Sequence, residues 1–309
     1  MKRPEIDRST GRSVVTEAPH REVPADRRAP AEAPPRRPVR RGRGRILLWL
    51  IGLAVLFVTL FPVLFMLRIA LTAPANYQEM PVNWLGAPYL ESMRTVLSGG
   101  FPRYLLNSFA IALLTTVLVV LSGALAGHAL ARVRSQRKDH FLFFVLSTRM
   151  GPAVVYALPI FLMATQLRLV DTYFGIVVVY IFYSLAFAIW MLYGFFLDIP
   201  KEVEEAGLVE GLTEFGVFRR LSMPMILPGL IATATLVFIF TWNEFFYAFV
   251  LTREVAKTYP TDIPSYFGAF RVEWGQMFSA SVLGVLPPVI FGILVRKWLA
   301  RGLSGGTVG

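Results

Sequence analysis

The sequence contains no cysteine, which excludes disulfides, thiol catalysis and thiolate metal sites. Histidine is nearly as scarce. His20, His128 and His140 lie far apart, and no H-E-x-x-H pair occurs. The nucleophile elbow G-x-S-x-G and the phosphate loop G-x-x-x-x-G-K-[ST] are also absent. If ATP drives this protein, another chain must bind it. Charge is thin, at 17% against about 25% in a typical soluble domain, and it is clumped. Alternating polarity at barrel-strand spacing is missing, so a membrane reading rests on helices.

What is present fits that reading. Hydrophobic residues make up 55% of the chain and mean hydropathy is +0.56, which points to a membrane protein before any motif is considered. Apolar runs cover residues 46–67, 105–131, 141–166, 173–197, 225–251 and 277–295. Each is close to or above the ~20 residues a helix needs to cross ~30 Å of hydrocarbon. The first run is longer than the ~7–15 residues of a secretory signal and has no A-x-A site after it, so it reads as an uncleaved span. The expectation is an all-α membrane protein of six transmembrane helices.

Residues 1–45 are rich in Arg, Pro, Ala and Glu, with 13 Lys/Arg against 6 Asp/Glu. Few large apolar residues are available there to offset ordering entropy, so the segment reads as a disordered basic tail. Net charge is +11, yet the excess lies in this tail and beside the apolar runs. That is topology information, not a nucleic-acid surface. Arg36–Arg45 also suits anionic membrane lipid. With the N-terminus inside, the inner segments hold 23 Lys/Arg and the outer segments 7, with Arg149 inside a span. Both chain ends are therefore expected in the cytoplasm. Residues 46–309 form the membrane domain.

The segment between the fourth and fifth runs reads EEAGLVEGLTEFGVFRRLSMP, Glu204 to Pro224. Asp198, near the N-cap, and Pro200, close to the first helical position, precede it as a helix-start signal, and KEVEEAGLV has helical composition. Gly211 suits a helix end, and Thr213 can cap a second short helix through Phe215, Phe218 and Leu221, ended by Pro224. The expectation is helix, glycine turn, helix across the cytoplasmic membrane face. Ala206 and Gly207 would admit a close neighbour, Phe215 and Phe218 would supply apolar knobs, and Glu205 a fixed charge. An ordinary amphipathic connection reads equally well from these residues alone.

The spacing separates the readings. Glu205-Ala206-Gly207, three residues, Gly211, nine residues and Leu221-Ser222-Met223-Pro224 resemble the EAA motif of binding-protein-dependent ABC importer permeases, E-A-A, three residues, G, nine residues, I-x-L-P. Gly207 stands for the second Ala, Leu221 for Ile, Met223 for Leu, and Glu210 where Asp is common. The stretches LRLVDTYFGIVVVYIFYSLAFAIWMLYGFFLDIPKEVEEA and LPGLIATATLVFIFTWNEFFYAFVLT, and the tail RGLSGGTVG, are similar to the maltose-type second-permease group. The resemblance runs over nearly the whole chain after Leu47 and leaves the N-terminal extension outside.

It implies a type I ABC importer permease in the bacterial inner membrane. Such a chain is not an enzyme and binds no cofactor or metal. It pairs with a second homologous permease, two ATPase subunits that bind ATP and Mg, and an extracytoplasmic solute-binding protein. The loop would be the coupling element, through Glu205, Ala206, Gly207, Gly211, Phe215, Phe218 and Pro224. The cargo implied is a carbohydrate or polyol. Glycerol phosphate or another non-sugar solute is the alternative.

Polar residues inside the spans are the other candidates. A charge at mid-membrane costs at least ~2.5 kcal/mol, so Glu244 should face protein or water. With Trp242 and Asn243 it could line a sugar path, or it could hold helices together. Arg149, followed by Gly151 and Pro152, marks a local helix break. It could contact substrate, or it could snorkel or pair. Asn107 is a weaker candidate. Gly123 and Gly127 form a G-x-x-x-G for close helix packing. Tyr266, Phe267 and Phe270 lie in the outer segment 252–276, where they could meet the binding protein or sit in the headgroup belt. An ion-coupled secondary transporter fits poorly, because one Glu, one Arg and no evident inverted repeat supply little coupling machinery.

Overall fold

The computed structural model describes residues 42–77, 83–268 and 271–304. The expected tail, save its last four residues, therefore lies outside the described residues, as do Phe270 and the terminal 305–309. By its contacts the chain divides into residues 1–53 and 54–309. The first unit contributes the opening turns of one helix. All other described elements belong to the second.

In chain order the helices are α1 (Gly42–Ala70), α2 (Glu91–Ser98), α3 (Phe101–Arg132), α4 (Lys138–Ser147), α5 (Ala153–Gln166), α6 (Tyr173–Leu197), α7 (Lys201–Val209), α8 (Glu214–Val217), α9 (Met223–Met225), α10 (Leu227–Trp242), α11 (Phe246–Leu251), α12 (Tyr259–Asp262) and α13 (Trp274–Ser304). No strand occurs among the described residues, only an isolated bridge between Phe267 and Val272. Four helices, α1, α3, α6 and α13, are each long and apolar enough to cross a bilayer.

The apolar runs and the helices agree in place, with two differences. The run 141–166 is not one helix. It is α4 and α5, separated by Thr148–Pro152. Pro152 disfavours helical geometry in Gly151 and cannot donate its own amide, so the chain starts a new helix at Ala153. The run 225–251 is also divided, into α10 and α11, at Asn243–Phe245. No proline or glycine lies at that break. A carboxylate makes it, as described below.

The core is built on α3 and α6, which pack along each other more extensively than any other pair. The two glycines of the G-x-x-x-G permit it. A Cβ at Gly123 would lie 3.0 Å from the Ala188 methyl, and one at Gly127 would lie 2.9 Å from the Tyr193 amide nitrogen. Around this pair, Val119, Ala124, Leu192 and Phe196 are fully buried. Helix α10 then packs on α3, α6 and α13. In lipid, association of this kind rests on dispersion and close approach, because the tails outside are as apolar as the interior.

Candidate functional site

Helix α6 runs to Leu197, and Asp198 is the residue that closes it, with helical backbone angles. The expected N-cap at Asp198 is therefore corrected. Pro200, extended at φ −57° and ψ 134°, precedes α7 directly and no side chain caps it. Glu202 and Glu204 in the first turn favour the helix dipole instead. After α7 the backbone turns at Gly211, φ +90°, a conformation that a Cβ makes strained. The Thr213 hydroxyl accepts from the Gly216 amide at 3.1 Å and starts α8. The helix–glycine turn–helix reading holds.

Its end does not fall at Pro224. From Phe218 to Ser222 the chain makes a π-helical turn, and α9 carries Pro224 in its first turn. The wider turn suits a proline that has no amide to give to the preceding turn. The chain bends at Ile226, φ −91° and ψ 12°, by 78° between 214–225 and α10. Pro228 follows at the start of α10, so two proline-disrupted turns flank the bend.

The loop presents some of its expected contact residues outward and turns others in. Glu205, Ala206, Gly211 and Pro224 are exposed, and Phe215 is 63% exposed. Gly207 is buried, and a Cβ there would press on Leu221 Cδ1 at 2.6 Å. Phe218 is buried too, against His128 and Phe196 with ring centroids 5.1 and 6.1 Å away. Their expected role as outer contacts is corrected: both face the bundle and shape the loop from within, because α7 folds back over α8 and the π-turn.

A residue that the motif does not weight fastens the loop. Glu204 is buried. Its carboxylate accepts from Arg132 Nη2 at 2.9 Å and from Ser222 Oγ at 2.6 Å, bonds also to Arg132 Nε, and lies 3.1 Å from His128 Nε2. Burial would raise its pKa, but Arg132, Ser222 and His128 together hold it at about 2. One side chain therefore ties α3, α7 and the π-turn. His128 and Arg132 stand four apart on α3, on one helical face, which is the sequence signal for such a cluster. Beside it opens a cleft of about 640 Å³, walled by Arg134, Lys201, Glu205, Glu214 and Phe215.

The membrane candidates separate. Trp242 is 1% exposed, stacks on Phe238 and Tyr259, and donates from Nε1 to the Gly284 carbonyl at 3.1 Å. It is a core residue joining α10 to α13, which corrects its placement on a translocation path. Asn243 is exposed and closes α10, with its amide donating to the Ile239 carbonyl at 2.8 Å. Glu244 accepts from the Tyr247 and Ala248 amides at 3.0 and 3.3 Å. It thus caps the first turn of α11, and this bonding makes the break in the fifth run. The Tyr180 hydroxyl donates to the Glu244 backbone carbonyl at 3.2 Å. Arg149 sits in the break between α4 and α5, with its guanidinium over the Tyr183, Phe240 and Phe187 rings at 4.6, 5.1 and 5.3 Å.

On the far side, Asp171 takes a left-handed backbone, φ 58°, and its carboxylate accepts from the amides of Arg253, Glu254, Val255 and Ala256 at 2.9–3.1 Å. Burial raises its pKa, and these amides outweigh that and lower it. Asn107 donates to the Val255 and Lys257 carbonyls at 3.0 and 2.9 Å. The loop after α11 is thereby pinned to α3 and to the α5–α6 connection. Of its expected partner contacts, Tyr266 is half-buried and Phe267 is 56% exposed.

A model of the family described as "Binding-protein-dependent transport system inner membrane component" matches residues 119–305, from mid-α3 through the loop to α13. The chain belongs to this family. A probable ABC transporter permease protein of Sinorhizobium fredii is 32% identical over 266 residues, covering 85% of this chain and 96% of that one. The trehalose/maltose transport system permease protein MalG of Thermococcus litoralis is 31% identical over 275 residues, with 85% and 96% covered. Among solved structures, a bacterial ABC transporter involved in alginate import superposes with a TM-score of 0.65 at 22% identity, over 82% of this chain and 95% of that one. The all-helical architecture is that of a type I importer permease. The chain is a multi-pass membrane permease of an ABC transporter, a non-catalytic subunit.

Proposed function

We propose that this permease forms half of the translocation path of an ATP-driven carbohydrate importer in the bacterial cytoplasmic membrane, with the loop 201–226 as its coupling element. The observation that carries the reading is the loop itself. It is a folded helix–turn–helix whose outward face offers Glu205, Ala206 and Phe215, while Glu204 locks its inward face to α3. A rigid element of this kind can pass a push from a docked subunit into the bundle, which switches between discrete packings.

Both chain ends lie in the cytoplasm on this reading, as the Lys/Arg distribution favours. Two ATPase subunits bind ATP and Mg and dock beneath; one takes the loop into its surface. A second homologous permease completes the path, and an extracytoplasmic binding protein delivers the cargo from the side of Phe267. The carbohydrate assignment leans on the trehalose/maltose relative.

The test is ATP hydrolysis by the assembly purified after co-expression with neighbouring permease, ATPase and binding-protein genes, with a panel of sugars and polyols. Hydrolysis stimulated only when binding protein and one sugar are both present, and lost in Glu205→Lys, supports the reading. Failure of any ATPase subunit to copurify, together with solute movement by this chain along a proton or sodium gradient, overturns it.

A further inference from the structure

Between α5, α6 and α11 lies a cavity of about 580 Å³, and Arg149 stands at its edge. Its lining includes the aromatic rings of Tyr156, Tyr183 and Tyr247. Gly151 belongs to this construction, because a Cβ there would collide with the Tyr156 hydroxyl. Among the described residues, the hydroxyls of these three tyrosines make no hydrogen bond, and no acceptor takes one from the Arg149 guanidinium. No carboxylate among those residues lies within ion-pair reach of it.

We infer that this cavity is a cargo site for a saccharide bearing an anionic group, with Arg149 as the anion-binding residue and the tyrosines as the sugar-binding wall. The inference rests on the importer reading and adds to it the charge of the cargo. Three points carry it. On the six-span reading the run 141–166 crosses the membrane, where a cation facing lipid costs about 2.5–3.5 kcal/mol on insertion scales, so Arg149 faces protein or water. The rings of Tyr183, Phe187 and Phe240 hold the cation by its face without neutralising it. The planar edge of a guanidinium carries donors spaced for a carboxylate, sulfonate or phosphate. A neutral sugar could be held by tyrosine hydroxyls and ring faces alone, and would gain little from a cation in the wall. Tyr183 and Tyr247 meet edge to face at 5.8 Å, which fixes one corner of the wall.

The experiment uses the complete assembly in proteoliposomes, with permease pair, ATPase and binding protein. The probes are a labelled hexuronate disaccharide and its carboxyl-reduced neutral counterpart, which share ring size and linkage. We expect ATP-driven uptake of the acid to exceed that of the neutral sugar by at least about tenfold. We expect Arg149→Met to reduce acid uptake to the neutral level, and Arg149→Lys to retain part of it. Tyr156→Phe and Tyr247→Phe keep the rings, and should raise the concentration needed for half-maximal uptake while leaving ATPase docking unchanged. They keep the proposal testable if Arg149→Met fails to assemble. Preference for the neutral sugar, or acid uptake unaffected by the Arg149 substitutions, overturns the anionic site and leaves the importer standing. Absence of ATP-driven uptake for either probe and for every sugar in the panel overturns the importer reading itself.

Discussion

Two adjacent glutamates divide the work of the loop. One residue along a helix is a turn of about 100°, so Glu204 faces the bundle while Glu205 faces out. Glu204→Ala leaves the Arg132 guanidinium without its carboxylate in a half-buried site, where a charged group left without its partner typically costs about 1–3 kcal/mol. The expected result is faster amide exchange across 201–222 and loss of coupled hydrolysis; unchanged exchange would show that Glu204 does not anchor the loop. The pH dependence follows from the depressed pKa. The carboxylate's contribution is full above its ordinary value of 4.5 and is lost as pH falls toward about 2. Protection of the loop amides, measured relative to their intrinsic exchange rate at each pH, should therefore be flat from neutral pH down to roughly 5 and fall below it, with no such step in Glu204→Gln. Gly211→Ala meets no clash, but its φ of +90° is strained for any Cβ, so a loss of about 1–2 kcal/mol is expected in a thermal melt.

Helical elements were legible in the sequence where composition alone decides them. The runs that became α1, α3, α6 and α13 are continuous and apolar, and Arg149–Pro152 announces the break between α4 and α5 through its proline. The break between α10 and α11 was not legible. It depends on Glu244 turning to cap α11, and on Tyr180 reaching the Glu244 carbonyl from another helix. Trp242 misleads for a related reason: an indole beside two polar residues reads as a sugar platform, until α13 is seen to cover it and accept its N–H. Glu204 is hidden because its partners come from elements 72 and 18 residues away. At this scale Gly127 gives the sharpest prediction. Gly127→Leu forces α3 and α6 apart at their closest approach and should prevent assembly, read as loss of a monodisperse peak in detergent. Gly194, on the same α6 with nothing near its Cβ position, should accept alanine without that effect.

At the scale of the whole molecule, polar side chains fasten connections on both sides of the bundle. Glu204 ties the loop after α6 to α3, and Asp171 with Asn107 ties the loop after α11 to the same helix and to the start of α6. Helix α3 is thus bonded to the loop 201–226 at one end and to the loop after α11 at the other, so on the proposed importer reading it joins the ATPase-docking side to the cargo side. Asp171→Ala would leave four amides without their acceptor and should loosen 253–256 in amide exchange, while the loop 201–222 keeps its protection.

The absence of native cysteine makes the docking of the loop on an ATPase subunit measurable by crosslinking, because one introduced thiol is unique in this chain. Ala206→Cys, on the exposed face of α7, should crosslink to the ATPase subunit in the purified assembly, and the yield should change when ATP is added. Gly207→Cys, one residue on and buried, should not crosslink. A coupling role is contradicted if Ala206→Cys forms no adduct with the ATPase while Phe267→Cys, on the outer loop, does.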